Sequence, residues 1–149
     1  MFESDLDTMQ DGLYWIYTSY TNSELLNSRP SQKPGSIDFA DRVATHRDLQ
    51  HICTRTVDGF NLVYNGIGGV GPKGSGGLRE RILQEYRGGD GTGSLAINDS
   101  SLCDLEKWRV SYVLWSEIEF NTPQRYQDFG KTVERLWRLH FGWPILCNK

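Results

Sequence analysis

The sequence predicts an α+β fold in which a small, mostly antiparallel sheet of three to four strands is flanked by helices. Three observations predict it. Short aromatic and β-branched runs are interspersed with helical patterns. Asp58-Gly59 separates two of these runs, a pattern typical of a tight hairpin. The elements also lack the regular βαβ alternation that a parallel sheet requires.

The first half of the chain yields one strand, one helix and the hairpin. Residues 13–18 form the first predicted strand. Residues 19–35 are polar and rich in proline, which predicts a loop. Ser36 is the predicted cap of a surface helix over residues 37–49, with Asp38 near its positive end. Residues 52–57 and 60–65 are the two arms of the hairpin.

The second half yields two helices and a strand. A glycine-dense loop is predicted over residues 66–77 before a helix at 78–87, and residues 88–93 are expected to form another, mobile loop. Residues 108–115 alternate as a strand does. Thr122-Pro123 begins a long helix that ends before Gly142. Its apolar positions recur at helical spacing, with His140 interpreted as a core histidine; they are Tyr126, Phe129, Val133, Leu136, Trp137 and His140.

Length and composition set the outer limits. A chain of 149 residues with 38% hydrophobic and 23% charged residues is expected to form one domain over residues 1–149. No apolar run is long enough to span a membrane, and the acidic N-terminus is unlike a signal peptide, so a cytoplasmic location is expected. Three widely spaced cysteines are expected to be reduced.

The charge of the chain bears on nucleic-acid binding. A net charge of −3 and a pI near 5.6 argue against strong nonspecific binding to DNA or RNA. Four basic residues nevertheless cluster beside the glycine loop: Lys73, Arg79, Arg81 and Arg87. The cluster is consistent with a local basic groove and equally with an ordinary solvated helix face.

The glycine run Gly66 to Gly71 matches G-x-G-x-x-G, the pattern of dinucleotide-binding folds. Those folds need a helix that opens at the last glycine, whereas here six further residues intervene. Lys73 is followed by glycine, so a Walker A loop fails as well. We therefore expect no nucleotide cofactor, and a nucleotide-binding enzyme is the weakest alternative. The favoured role is a loop whose amides and Lys73 approach a phosphate backbone.

Hydrolysis of a phosphodiester needs a base for water, a cation beside the phosphoryl oxygens and a stabiliser of the leaving oxygen. The chain supplies suitable groups in the order Tyr14, Tyr64, Arg81 and Glu134. Singly, each has an ordinary structural explanation: core tyrosines, an arginine paired with Glu85, and a glutamate paired with a helix arginine.

Taken together, these residues resemble the GIY-YIG nuclease family, and the resemblance spans residues 12–148. The matching segments are Gly12-Leu13-Tyr14, Tyr64-Asn65-Gly66, Leu78-Arg79-Glu80-Arg81-Ile82, Glu134 and Pro144-Ile145-Leu146-Cys147-Asn148. The resemblance implies a metal-dependent DNA endonuclease with that family's fold, and the Lys73 loop is loosely similar to its restriction-enzyme branch.

The resemblance also implies roles. Tyr14 would be the general base, activated by nearby positive charge, and Tyr64 would position water or phosphate. Arg81 would stabilise phosphoryl charge, with Arg79 the alternative arginine. Glu134 would hold Mg²⁺ or Mn²⁺. Two further residues would assist: Lys73 as a helper and Asn148 in fixing the site.

Three departures qualify the resemblance. Fifty residues separate Tyr14 from Tyr64, so an insertion over residues 19–57, with a helix and a strand, must lie between the two motifs. Glu85 stands where the family often has histidine or tyrosine. We expect no appended DNA-recognition domain of the kind that many relatives have. The alternative is a catalytically silent domain that retains the fold and binds nucleic acid or protein. The nuclease hypothesis requires Tyr14 to lie beside Tyr64 in the sheet.

Overall fold

The structure is a computed structural model that describes residues 12–68, 77–89, 93–114 and 126–147, without side chains for 126–129. It confirms the α+β fold with an antiparallel sheet flanked by helices. The elements in chain order are β1 (Gly12–Thr18), α1 (Asn22–Leu26), α2 (Phe39–His46), β2 (Thr56–Val57), β3 (Phe60–Gly68), α3 (Gly77–Arg87), β4 (Trp108–Leu114) and α4 (Tyr126–Phe141). The four strands are antiparallel in the order β2-β3-β1-β4.

The register between β1 and β3 brings the two tyrosine motifs together. Tyr14 lies opposite Gly66, and Ile16 lies opposite Tyr64. Because side chains alternate along a strand, Tyr14 and Tyr64 share one face of the sheet. Their ring centroids are 6.4 Å apart. The expectation that the first motif returns to the sheet beside the second is confirmed.

The predicted hairpin is also confirmed, but its first arm is short. Asp58 and Gly59 have φ values of 52° and 81°, the left-handed conformations that a type I′ turn needs. Only Thr56 and Val57 pair with β3, whereas the sequence predicted a strand over residues 52–57. Ile52 instead forms an isolated parallel bridge with Trp143 near the C-terminus.

One loop prediction and one helix prediction in the first half were wrong in detail. The loop predicted over residues 19–35 contains α1. Thr21 and Glu24 cap the N-terminus of this helix with a reciprocal capping box. The second helix begins at Phe39 rather than 37 and ends at His46 rather than 49. Its cap is Asp38, whose side chain accepts from the Asp41 amide, and not Ser36.

The glycine-dense stretch is not wholly a loop. β3 continues through Gly66 to Gly68, and α3 begins at Gly77. A Cβ added at Gly68 would lie 2.5 Å from the Cα of Leu78, so glycine at this position permits α3 to approach the sheet closely. This close packing seats α3 on the face that carries the two tyrosines.

The other face of the sheet is covered by α4. Trp137 packs on Trp15 at a centroid distance of 6.1 Å. The apolar face predicted for α4 is partly wrong, because Leu136 is 59% exposed and His140 is exposed rather than a core residue. The face of α4 that packs on the sheet includes Trp137 and is rotated toward Glu134 and Arg138, which are only partly exposed, so Leu136 and His140 point to solvent. The predicted start at Thr122-Pro123 lies outside the described residues.

The residues between β1 and β3 contribute to the same core as the sheet. Leu25, Phe39 and Val43 are buried in one cluster with Tyr14, Tyr64 and residues of α3. The C-terminal segment also covers the open edge of β3, where the Leu146 amide donates to the Val63 carbonyl at 2.9 Å. None of the helices within the described ranges combines the length and apolar character needed to cross a membrane.

Candidate active site

The centre of the candidate site is a buried contact between Tyr14 and Glu85. The Tyr14 hydroxyl donates to Oε2 of Glu85 at 2.6 Å, and both side chains are fully buried. The other carboxylate oxygen, Oε1, accepts from the Leu95 amide at 3.0 Å. Glu85 is therefore held at both oxygens, by β1 and by the segment that follows α3.

Arg81 stands one helical turn before Glu85, because residues four apart share a helix face. Its Nη2 lies 4.0 Å from Glu85 Oε2, and its Nη1 donates to Gln84 at 3.0 Å. The Arg81 side chain is 25% exposed, so this cation of the cluster is reached by solvent. Arg79 points outward and is exposed. The geometry therefore favours Arg81 over Arg79 as the arginine beside the tyrosines.

The environment of the two tyrosines keeps their phenols protonated. Burial raises the pKa of Tyr14 well above its ordinary value, and Glu85 adds to the shift. Burial and Glu85 likewise raise the pKa of Tyr64. Arg81 lowers both pKa values but is outweighed. Arg81 thus acts on Tyr14 in the expected direction, but burial and Glu85 have the larger effect on the pKa of the phenol.

The pKa values of Glu85 and Arg81, the two charged groups of α3 in this cluster, are both raised, for different reasons. Burial raises the pKa of Glu85 above the usual range, although Arg81 and the bonds from Tyr14 and Leu95 oppose the shift. Burial lowers the pKa of Arg81, but Tyr14, Glu85 and Tyr64 outweigh it and raise that pKa above its ordinary value. Arg81 is thus a permanent cation, and Glu85 is a carboxyl group with an enhanced affinity for a proton.

Glu134 lies on the helix that covers the other face of the sheet, and it interacts with this cluster electrostatically. It lies on α4, and its direct partner is Arg138, at 3.1 Å from Oε1. Burial raises the pKa of Glu134, while Arg138 and then Arg81 lower it. Its charge also acts on Tyr64. Tyr14, Tyr64 and Arg81 are thus assembled directly with Glu85, and Glu134 is coupled to Arg81 and Tyr64 through electrostatics.

Arg138 is fixed by the second tyrosine motif. Its Nε donates to Oδ1 of Asn65 at 2.8 Å, and its Nη2 donates to the Asn65 carbonyl at 3.2 Å. The Cys147 sulfur lies 3.3 Å from the same nitrogen. Asn65 is fully buried and points to the face opposite Tyr64. The middle residue of this motif therefore orients Arg138, which in turn pairs with Glu134.

A metal site at Glu134 would depend on one carboxylate. In the described ranges, no group of three or more His, Cys, Asp or Glu side chains is arranged to hold a metal ion. Mg²⁺ keeps most of its waters and is often held by one or two carboxylates. The Glu134 side chain is 19% exposed, and Arg138 contacts its Oε1. The Glu134 carboxylate is a suitable ligand for such an ion. The ion would compete with Arg138 for this carboxylate.

Two predicted site residues, Lys73 and Asn148, lie outside the described residues. The sequence interpretation missed Glu85, Asn65 and Arg138 as members of the site. Glu85 left a signal, because it stands seven residues after Leu78 on the apolar face of α3, where a charge is unusual. Asn65 also left one, as a polar residue within a strand that is otherwise largely apolar. Arg138 left none beyond its spacing from Glu134.

Comparisons with known proteins return no match: no family model, no curated protein and no solved structure is significantly similar to this chain.

Proposed function

We propose that this chain is a metal-dependent endonuclease that hydrolyses DNA phosphodiester bonds by a GIY-YIG-type mechanism. The observation that carries the proposal is the pairing of β1 with β3, which brings Gly12-Leu13-Tyr14 beside Tyr64-Asn65-Gly66 across an insertion of some forty residues. Arg81 of the third motif then reaches the same two tyrosines. Three short motifs that are far apart in the chain thus meet at one place.

Each residue has a role that follows from its position. Arg81 is partly exposed and permanently charged, so it binds the phosphoryl oxygens and offsets the charge that develops there. Tyr64 lies beside Arg81 and positions the phosphate or the attacking water. Tyr14 is the general base, and its hydroxyl is already aligned by Glu85. The further assignments are Lys73 as a contact to the phosphate backbone and Asn148 as a support of the site.

Glu134 would hold the metal ion, with Mg²⁺ or Mn²⁺ as the expected species. When bound, such an ion supplies positive charge at the leaving oxygen. Arg138 and Asn65 set the position of the Glu134 carboxylate before any ion binds. The ion must share this carboxylate with Arg138, which predicts a weak metal affinity and a requirement for millimolar concentrations.

The proposal is tested by cleavage of supercoiled plasmid with Mg²⁺ and with EDTA. We expect wild type to cut only with the metal, and Glu134→Gln to reduce the rate about 100-fold or more. Glu80→Gln is the matched control, because Glu80 lies on the exposed side of α3 with Arg87 as its partner. Equal cutting by wild type and Glu134→Gln would remove Glu134 from the site.

A catalytically silent DNA-binding domain is the second candidate. The observation that favours it is the complete burial of Tyr14, whose hydroxyl is already satisfied by Glu85. The net charge of −3 also favours a modest rather than a strong DNA affinity. Fluorescence anisotropy with labelled duplex distinguishes the two. Salt-sensitive binding with no cleavage in Mg²⁺ or Mn²⁺ would support the silent domain.

A further inference from the structure

We propose that Glu85 is the proton acceptor of Tyr14, so that the two residues act as one base. The inference rests on the proposed function and adds a residue to it at the position where the sequence departs from the family pattern. It is drawn from the contact between Tyr14 and Glu85, from the burial of both and from the fixed geometry of the carboxylate.

The geometry suits proton transfer. The phenol oxygen and Oε2 of Glu85 are 2.6 Å apart, the short separation expected of an O–H donor and a charged acceptor. The Leu95 amide holds Oε1, so Oε2 stays directed at Tyr14. The carboxylate is therefore already placed and needs no rearrangement to accept the proton.

The transfer also removes a difficulty with Tyr14 acting alone. Its pKa is raised well above the ordinary value, so a free phenolate is not available at neutral pH. In the coupled step, the phenol oxygen takes a proton from water while its own proton moves to Oε2 of Glu85. The resulting hydroxide forms the new P–O bond, and the leaving oxygen departs with the electron pair of the broken bond. Tyr14 is neutral before and after, and Glu85 becomes a neutral acid.

The groups around Glu85 favour this role. Arg81 on the same helix stabilises the ionised carboxylate before transfer, and Tyr14 does so from β1. Tyr64 on β3 and Cys147 in the C-terminal segment also interact with it electrostatically. Of the groups around the Tyr14 phenol, Arg81 is partly exposed to solvent. Its movement onto a phosphate would open the phenol oxygen to water and withdraw the cation from Glu85, which strengthens the base when substrate is bound.

The test is the pH dependence of plasmid cleavage by wild type and Glu85→Gln. Glutamine keeps the shape, and its oxygen can still accept from the Leu95 amide, but it cannot take up a proton. We expect a rate at least 100-fold lower, unchanged DNA affinity and loss of the acid limb of the pH profile. In wild type that limb rises as Glu85 ionises. Glu80→Gln should behave as wild type, because Glu80 lies away from the site.

A double variant separates a shared role from two independent ones. If Tyr14 and Glu85 act as a unit, Tyr14→Phe with Glu85→Gln should be no slower than the worse single variant. The proposal would be overturned if the rate losses of the two single variants multiplied in the double variant, or if Glu85→Gln kept the wild-type pH profile. If wild type cuts DNA and Glu85→Gln cuts it equally fast, this inference alone is overturned. If wild type cuts no DNA, the inference and the proposed function are overturned together.

A readout that needs no cleavage is the carboxyl ¹³C resonance of Glu85 during a pH titration. We expect Glu85 to ionise at a higher pH than an exposed glutamate, and at a still higher pH in Tyr14→Phe, because the phenol no longer stabilises the anion. A Glu85 that stays protonated at the pH of cleavage would overturn the proposal.

Discussion

Gly66 lies directly across from Tyr14, and a methyl group at position 66 would overlap the phenol oxygen. It would also lie 2.7 Å from Cζ of the ring. The position of the Tyr14 side chain therefore leaves room for no residue larger than glycine at position 66. A larger residue here would displace the hydroxyl from Glu85.

Gly66→Ala is accordingly expected to destabilise the fold by about 1–3 kcal/mol, the usual cost of overpacking a core, and to remove activity. Urea denaturation gives the free energy of unfolding. Gly59→Ala is the comparison, because no atom lies within 4 Å of its added Cβ and its cost arises only from a φ of 81°. Full activity in Gly66→Ala would show that the Tyr14–Glu85 contact is dispensable.

Glu85→Gln is expected to change the pH dependence of stability. The pKa of Glu85 is raised in the folded state above its ordinary value of 4.5. The folded protein therefore binds more protons than the unfolded chain between these two pKa values, and stability falls as pH rises through that window. Glutamine has no such loss. Thermal unfolding should show the variant gaining on wild type from pH 4.5 upward, with a constant difference above the folded pKa.

The opposite trend would mean that burial does not dominate at Glu85. A variant that is more stable yet inactive would, in contrast, separate the functional role of Glu85 from any contribution to the fold.

Arg138→Met should weaken the fold by about 2 kcal/mol, since it removes the strong bond to Asn65 Oδ1, which keeps only the weak Cys147 thiol donor, and takes the ion-pair partner from the Glu134 carboxylate. Methionine keeps most of the side-chain volume, so the loss reports the polar contacts. Arg135→Met is the matched control, because Arg135 is exposed on the same helix. Urea denaturation of both variants provides the comparison. Equal stability would show that the Asn65–Arg138 contact does not contribute.

Thiol reactivity should distinguish the three cysteines. All are unpaired, but Cys53 and Cys147 are buried and Cys103 is exposed. Burial raises the pKa of Cys147 to about 12, so its thiolate is scarce at neutral pH. A colorimetric thiol reagent should modify one cysteine quickly in the native protein and all three in denaturant. Cys103→Ser should abolish the fast phase, and its persistence would mean that one of the buried thiols is accessible.

Local patterns predicted much of the fold. Asp58-Gly59 was sufficient for the hairpin, aromatic and β-branched residues for β1, and alternation for β4. The pairing of β1 with β3 was expected only through the family resemblance, because strand pairing across an insertion leaves no local signal. Helix ends were less predictable, since both Ser36 and Asp38 are suitable capping residues, and the sequence does not show that the helix begins at the buried Phe39.

The site residues that belong to the ordered motifs were predictable from the sequence. Those whose role depends on burial were not. Tyr14, Tyr64 and Arg81 were expected to meet, and they do. Glu85 was interpreted as a departure from the pattern, although it hydrogen-bonds Tyr14. Its role depends on complete burial, and the sequence shows only that a charge stands on an apolar helix face. The roles assigned to Lys73 and Asn148 stay predictions.

The most direct test of the proposed nuclease is the rate of plasmid cleavage in Mg²⁺ by wild type, Arg81→Ala and Arg79→Ala. The two arginines are two residues apart on α3, but only Arg81 faces the tyrosines. We predict that wild type and Arg79→Ala cut at similar rates and that Arg81→Ala is slower by about 100-fold or more. Cleavage by Arg81→Ala at the wild-type rate would contradict this assignment of the active site.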